Sequence, residues 1–259
     1  MNSVVAIYPG KSFPITNTNT YDKPMKQKLH IGRGFTLVEL LVVIVIIAAL
    51  AGLTAPMVIR QRKKADQTEA VNNAKQIGLA MFEFENAYGT FPDASTATQV
   101  TTNTGTTLTF AGGKSNDFFR QLIAAEISQS EAMFYAKANY TKKPDNVYNT
   151  QATALGAGEV GFGYIMNVAT AFSTAGNPSR AIVAAPLAGT TTPATDGTFD
   201  LDMFDSKAVV LRIDNSVQSL NVLKSSKKAQ SGAKTLLDTG ADTVWGDGVT
   251  PTMIAPTPK

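Results

Sequence analysis

The sequence predicts an α+β protein: a long N-terminal α-helix, half of it transmembrane, packed on a small antiparallel β-sheet domain. Three observations predict it. Residues 35–56 read FTLVELLVVIVIIAALAGLTAP, long enough at about 1.5 Å per residue to cross a hydrocarbon core of roughly 30 Å. Beyond Pro56 the apolar residues become periodic, with Ala70, Ala74, Ile77, Met81, Phe84 and Tyr88 spaced by threes and fours, which is one stripe of an amphipathic helix. Residues 207–222, KAVVLRIDNSVQSLNV, place two β-rich runs around the turn-forming Asp214, Asn215 and Ser216, the pattern of a hairpin.

Composition narrows the function classes. The chain has 259 residues, 44% hydrophobic and 17% charged, too apolar for a disordered protein and too polar for a polytopic membrane protein. Lys and Arg number 23 against 20 Asp and Glu, a surplus too small to indicate a nucleic-acid binder, so no nucleic-acid partner is predicted. Cysteine is absent, which excludes disulfides, Cys-ligated zinc and thiol catalysis. The single histidine is His30, so a Ser-His-Asp triad or multi-His metal site has no material in the main body. No catalytic residues, metal ligands or cofactor are assigned, and the chain is not read as an enzyme.

The membrane run holds one charge, Glu39. Lys23, Lys26, Lys28 and Arg33 precede it, which keeps the N-terminal side in the cytoplasm and sends the rest outward, although Arg60, Arg62, Lys63 and Lys64 follow on the far side. An ordinary signal peptide is the competing reading, with Ala48 to Ala51 imitating its cleavage site. Against it, the small and basic residues stand before the apolar run. An acidic side chain here is tolerated because the first helical turn favours an anion. If the chain is cut before Phe35, a new α-amino group lies four residues from Glu39, and that carboxylate can pair with the amine of its own or a neighbouring chain.

The run Gly34-Phe35-Thr36-Leu37-Val38-Glu39, followed by unbroken apolar residues, resembles the N-terminal signature of type IV prepilins and type II secretion pseudopilins. The resemblance covers the stretch from Arg33 to Pro92 and implies a pilin-like fold. It implies cleavage by a prepilin peptidase between Gly34 and Phe35, N-methylation of Phe35, and pairing of Glu39 with the Phe35 amine of an adjacent subunit. Pro56 falls where many such proteins carry a helix-kinking proline, and by helix chemistry alone Gly52 and Pro56 are expected to kink one long helix without ending it. A leader of residues 1–34 is longer than usual for the family, and Met25 offers an internal start giving the leader MKQKLHIGRG.

The domains expected are therefore a leader over 1–34, the transmembrane half-helix over 35–56, the amphipathic half over 57–89, a globular extracytoplasmic part over 90–223 and a loop-rich, loosely attached tail over 224–259 anchored by Trp245. Gly89 caps the long helix, with Pro92 just beyond. Residues 93–109 read as a Thr-rich surface loop. Ser115 or Asn116 caps a short helix reaching Ile127, and residues 161–166 and 181–187 are strand candidates. The glycines Gly156, Gly158 and Gly161 match G-x-G-x-x-G without the strand, helix and acidic residue a nucleotide site needs, and read as a turn before a strand. Asp200, Asp202 and Asp205, or Asp238, Asp242 and Asp247, read as solvated loop acids, since their spacing fits no EF-hand, with calcium binding in the C-terminal loops, a feature of some pseudopilins, as the lesser alternative. Asn139-Tyr140-Thr141 matches a glycosylation sequon, a pattern common by chance.

The function expected is that of a structural subunit of a type II secretion pseudopilus, anchored in the cytoplasmic membrane until assembly. Its expected partners are copies of itself, other pilin-like subunits, the prepilin peptidase, an inner-membrane assembly platform and the lipid bilayer. The alternatives are a type IV pilus subunit and, in a different class, a membrane-tethered binding domain.

Overall fold

The computed structural model describes residue 10 and residues 34–110, 113–190 and 197–259. The basic leader residues Lys23, Lys26, Lys28 and Arg33, with His30 and Met25, lie outside the described residues. Those described fall into two compact units that divide between Ala49 and Leu50. One helix, α1 (Leu37–Tyr88), contributes to both.

In the first unit, the α1 side chains from Leu37 to Ala49 are all exposed. In the second, α1 is exposed through Arg62 and becomes amphipathic beyond it, with Ala70, Ala74, Ile77, Met81 and Phe84 fully buried. This is the stripe expected from the sequence, and Tyr88 completes it, its ring stacked on Phe84 at 4.5 Å. Gly89 ends the helix in the left-handed region (φ 87°), its N–H donating to the Glu85 carbonyl.

The surface receiving the stripe is a five-stranded antiparallel sheet. Its strands are β1 (Gly163–Asn167), β2 (Ala181–Ala185), β3 (Lys207–Arg212), β4 (Val217–Asn221) and, after the two-residue strands β5 (Gln230–Ser231) and β6 (Lys234–Thr235), β7 (Pro251–Ile254). The spatial order is β4-β3-β2-β1-β7. The predicted hairpin is β3 and β4, with Leu211 opposite Val217 and Lys207 opposite Asn221. Helix and hairpin meet closely at Gly78. A Cβ there would lie 2.0 Å from Asn215 Oδ1 and 3.1 Å from Leu211 Cδ1, so the missing side chain lets α1 sit on the hairpin turn.

Three expectations are corrected. Residues 93–109 are not a loop throughout, because α2 (Ala94–Thr104) occupies most of them. Its signal is a capping box: Asp93 Oδ1 accepts from the Ser95 and Thr96 amides while Thr96 Oγ1 accepts from the Asp93 amide at 2.8 Å. Thr101, Thr102 and Thr104 return their hydroxyls to carbonyls four residues back, so a Thr-rich run is satisfied as helix. The second correction concerns α3 (Ser115–Ala124), which starts one residue after Lys114 and stops before Ile127. Ser115 and Asn116 do not cap it; Ser115 Oγ donates to the Phe162 carbonyl and Asn116 Nδ2 to the Leu155 carbonyl.

The third correction is to the tail. It is not loosely attached, because β7 pairs with β1 along four registered positions, from Tyr164 opposite Ile254 to Asn167 opposite Pro251. The Trp245 anchor is real: its ring is buried and Nε1 donates to the Leu236 carbonyl at 2.8 Å. The glycine series is explained by close packing. A Cβ at Gly161 would fall 2.2 Å from the Ala136 carbonyl oxygen, and β1 follows at Gly163.

Two predictions follow from packing and capping. Gly→Ala within a helix ordinarily stabilises by about 1 kcal/mol, but Gly78→Ala should instead lower the unfolding midpoint. In an Asn215→Gly background, where the 2.0 Å obstruction is gone, only the flexible end of Leu211 has to give way and the left-handed turn (φ 62°) suits glycine, the same change should become neutral or stabilising. A double-mutant cycle measured by chemical denaturation checks the reversal. The Asp93 carboxyl, although burial pushes it up, is held below the usual carboxylate range by hydrogen bonds from the Ser95 hydroxyl and the Thr96, Ala171 and Ser95 amides. Its contribution is thus present above the unfolded value of about 3.9 and lost as pH falls through the lower folded value. Asp93→Ala should cost about 1 kcal/mol at pH 7, with the gap to the parent narrowing in acid, as pH-resolved thermal unfolding would read.

Candidate filament-assembly segment

The N-terminal segment singled out by the sequence begins, among the described residues, with residues 34–36, which precede the first turn of α1. Phe35 is 73% exposed, and the large apolar side chains from Leu37 to Ile59 are exposed as well. Such a surface has no stable place in water. By length and composition α1 can cross a membrane, and its most apolar window is wholly unburied.

Glu39 is the one charge in that run, and its geometry follows from the local sequence. The Thr36 amide donates to Glu39 Oε2 at 2.9 Å and the Thr36 hydroxyl to the same oxygen at 2.7 Å. In return the Glu39 amide donates to Thr36 Oγ1 at 3.2 Å. Thr36-x-x-Glu39 is thus a capping box, satisfying orphan donors at the start of the helix reciprocally. Sequence reasoning singled out Glu39 but missed Thr36, although the S/T-x-x-E spacing was there to be read. The second carboxylate oxygen, Oε1, accepts no hydrogen bond among the described residues.

Gly34 and Phe35 lie next to one another before the helix, outside any regular element, and both are exposed. Gly52 and Pro56 both lie inside α1, which continues through them.

Elsewhere the acids split by environment. Asp200 Oδ1 accepts from the Asp202 and Met203 amides, and Asp200 Oδ2 from the Asn139 side chain. Asp238 accepts from the Thr235 amide and Asp242 pairs with Lys234 at 2.6 Å. These acids are held by turns and a surface lysine. In a different trio that sequence reasoning did not bring together, Glu131, Asp145 and Glu159 each offer one carboxylate oxygen within 4.8 Å of those of the other two.

A membrane-capable apolar helix, capped by a threonine and a glutamate at its start and packed through its second half on an antiparallel sheet, defines a pilin-like fold. Residues 32–55 match the Prokaryotic N-terminal methylation motif. The chain belongs to the family described as Protein of unknown function (DUF1559), whose profile matches residues 61–216. It is also similar to Type II secretion system core protein G of Escherichia coli (strain K12), 45% identical over 56 residues, 21% of this chain and 39% of that protein. The same protein of Dickeya chrysanthemi is 42% identical over 57 residues, 21% and 37% of the two chains. That of Aeromonas hydrophila is 44% identical over 55 residues, 20% and 38%. The chain thus spans about two fifths of the length of these curated relatives. No solved structure matches the chain.

Losing the Thr36 hydroxyl should free the Glu39 amide and remove one donor to its carboxylate. Thr36→Ala is expected to speed hydrogen exchange at the Glu39 amide several-fold in detergent micelles, in line with a cap worth about 1 kcal/mol. Exchange beyond Pro56 should not change.

Proposed function

We propose that this chain is a structural pseudopilin, a subunit of a type II secretion pseudopilus. It is cleaved between Gly34 and Phe35 by a prepilin peptidase and methylated on the Phe35 amine. Residues 35–56 hold it in the cytoplasmic membrane, N-terminus inward and outer domain outward, until copies assemble with one another and with other pilin-like subunits on an inner-membrane platform. Gly52 and Pro56 let the helix bend between its membrane half and the amphipathic half over 57–89.

The observation that carries this reading is a wholly exposed apolar helical surface whose one charge, Glu39, has one carboxylate oxygen engaged by Thr36. Exposure calls for lipid first and other copies of the same helix afterwards. A carboxylate in lipid costs up to about 3 kcal/mol at the bilayer centre and less near its edge, where the first turn of α1 puts Glu39, and meeting the new amine of a neighbouring Phe35 offsets that cost. The N-terminal methylation motif supports the same reading, and the likeness to secretion core protein G favours a secretion pseudopilus over a type IV pilus.

Intact-mass analysis and N-terminal sequencing of membrane-extracted protein should return a methylated Phe35 as the first residue. A terminus after Ala49 or Ala51 would replace this reading with ordinary secretion. Glu39→Ala should insert into membranes at least as well as the parent yet yield few sheared filaments; normal filament yield would remove the assigned role of Glu39.

A further inference from the structure

We propose that Glu131, Asp145 and Glu159 form a binding site for one divalent cation of the calcium class, which clamps the loop over 143–148 and the turn before β1 onto the segment that seats α1.

The three acids are far apart in sequence and converge in space. Glu131 leads into the 3-10 turn Ala132–Phe134, Asp145 sits in the loop after Lys142, and Glu159 lies in the glycine-rich turn before β1. Glu131 is 0% exposed and Glu159 1%, whereas Asp145 is at the surface. Each has a partner for part of its carboxylate. Glu131 Oε1 accepts from the Leu155 amide at 2.6 Å, Glu159 Oε2 from the Gly156 amide at 2.7 Å, and Asp145 Oδ1 from the Val147 amide at 2.9 Å.

What distinguishes the cluster from a surface group of acids is Glu131 Oε2. It is fully buried and has no hydrogen-bond partner among the described residues. A buried carboxylate oxygen left in that condition is strongly unfavourable, and the nearby Asp145 and Glu159 carboxylates give the place the negative charge that a cation would neutralise. Lys142, which meets Glu159 at 3.1 Å, is a mostly exposed side chain able to swing away. Arg120 faces the same acids but is held by Asp117 at 2.5 Å and by the Ala154 and Leu155 carbonyls.

The chemistry selects the ion. The donors are all oxygen, with no histidine or cysteine, which disfavours zinc and copper. Calcium binds oxygens at about 2.3–2.6 Å, so two ligands on one ion stand at most about 5 Å apart. The observed limit of 4.8 Å fits that span without rearrangement. Magnesium demands strict octahedral geometry at about 2.1 Å and gives up its water reluctantly, so three carboxylates from separate loops suit it less well. The seat of α1 is close by: Asn73 Nδ2 donates to the Ala132 and Tyr135 carbonyls, and Lys137 pairs with Asp66 at 2.8 Å. A bound cation stiffens the platform on which the helix is carried.

The test uses the full chain in detergent, stripped with EDTA and titrated calorimetrically with CaCl2 or MgCl2, with unfolding midpoints recorded alongside. One calcium should bind with a Kd on the order of 10⁻⁴ M, near that of extracellular modules, and raise the midpoint; magnesium should bind at least about tenfold more weakly. Glu131→Gln should abolish binding. Asp145→Asn, at an exposed position that leaves folding intact, should weaken it by about tenfold or more, while Asp202→Asn and Asp242→Asn should leave it unchanged. Absence of calcium binding, equal preference for magnesium, or binding that survives Asp145→Asn and disappears with Asp202→Asn or Asp242→Asn would overturn the proposal.

Discussion

The constraint on which the rest depends is the uncovered apolar surface of α1 from Leu37 to Ile59. A water-exposed surface of this kind costs roughly 25 cal/mol for each Å² of apolar area, so it dictates an environment before any chemistry is considered. Within it the design problem is a single carboxylate. The chain handles Glu39 by placing it at the third helical position, where Thr36 returns two hydrogen bonds to one oxygen. Unassembled, the charge is therefore shielded locally. Because the capping box engages one oxygen only, a second partner can be added without dismantling the first.

The second half of the helix faces the opposite demand. Its stripe is small at Ala70, Ala74 and Gly78 and large at Ile77, Met81 and Phe84, so the backbone comes close to the hairpin while the larger groups fill the space beside it. Burying Phe84 or Ile77 contributes about 2 kcal/mol each. The residue that decides whether this packing is reached is Gly78, whose intrinsic helix propensity is poor. The local cost of about 1 kcal/mol is accepted because any side chain there would collide with Asn215. The same logic holds at Gly161 beside Ala136, where a glycine pattern that imitates a nucleotide motif serves the approach of two backbones.

What was legible in the sequence is what depends on period and on strong local signals. The apolar run, the stripe of α1, the Gly89 stop and the β3–β4 hairpin are all of this kind, and Gly34, Phe35 and Glu39 were visible through the signature they share with prepilins. What escaped depends on tertiary contacts or on signals obscured by composition. The capping box of Asp93 and Thr96 was hidden because threonine-rich segments read as loop, and the Thr36 box because attention settled on the charge. Ser115 and Asn116 looked like caps, yet their side chains were taken by Phe162 and Leu155 far along the chain. The β7 strand, PTMI, is too short to stand out and gains its identity only by pairing with β1. Glu131, Asp145 and Glu159 carry no motif spacing, so only folding brings them together.

The central claim is that the exposed apolar face of α1 is covered by the same face of other copies, through contact that depends on Glu39. Because the chain has no cysteine, single cysteines introduced in turn from Leu40 to Leu53 and oxidised in intact cell envelopes report that contact directly. The account predicts disulfide-linked dimers whose yield rises and falls with a helical period of about 3.6 residues and collapses when Glu39→Ala is added. Absence of dimers across the whole scan, or dimers undiminished by Glu39→Ala, would contradict it.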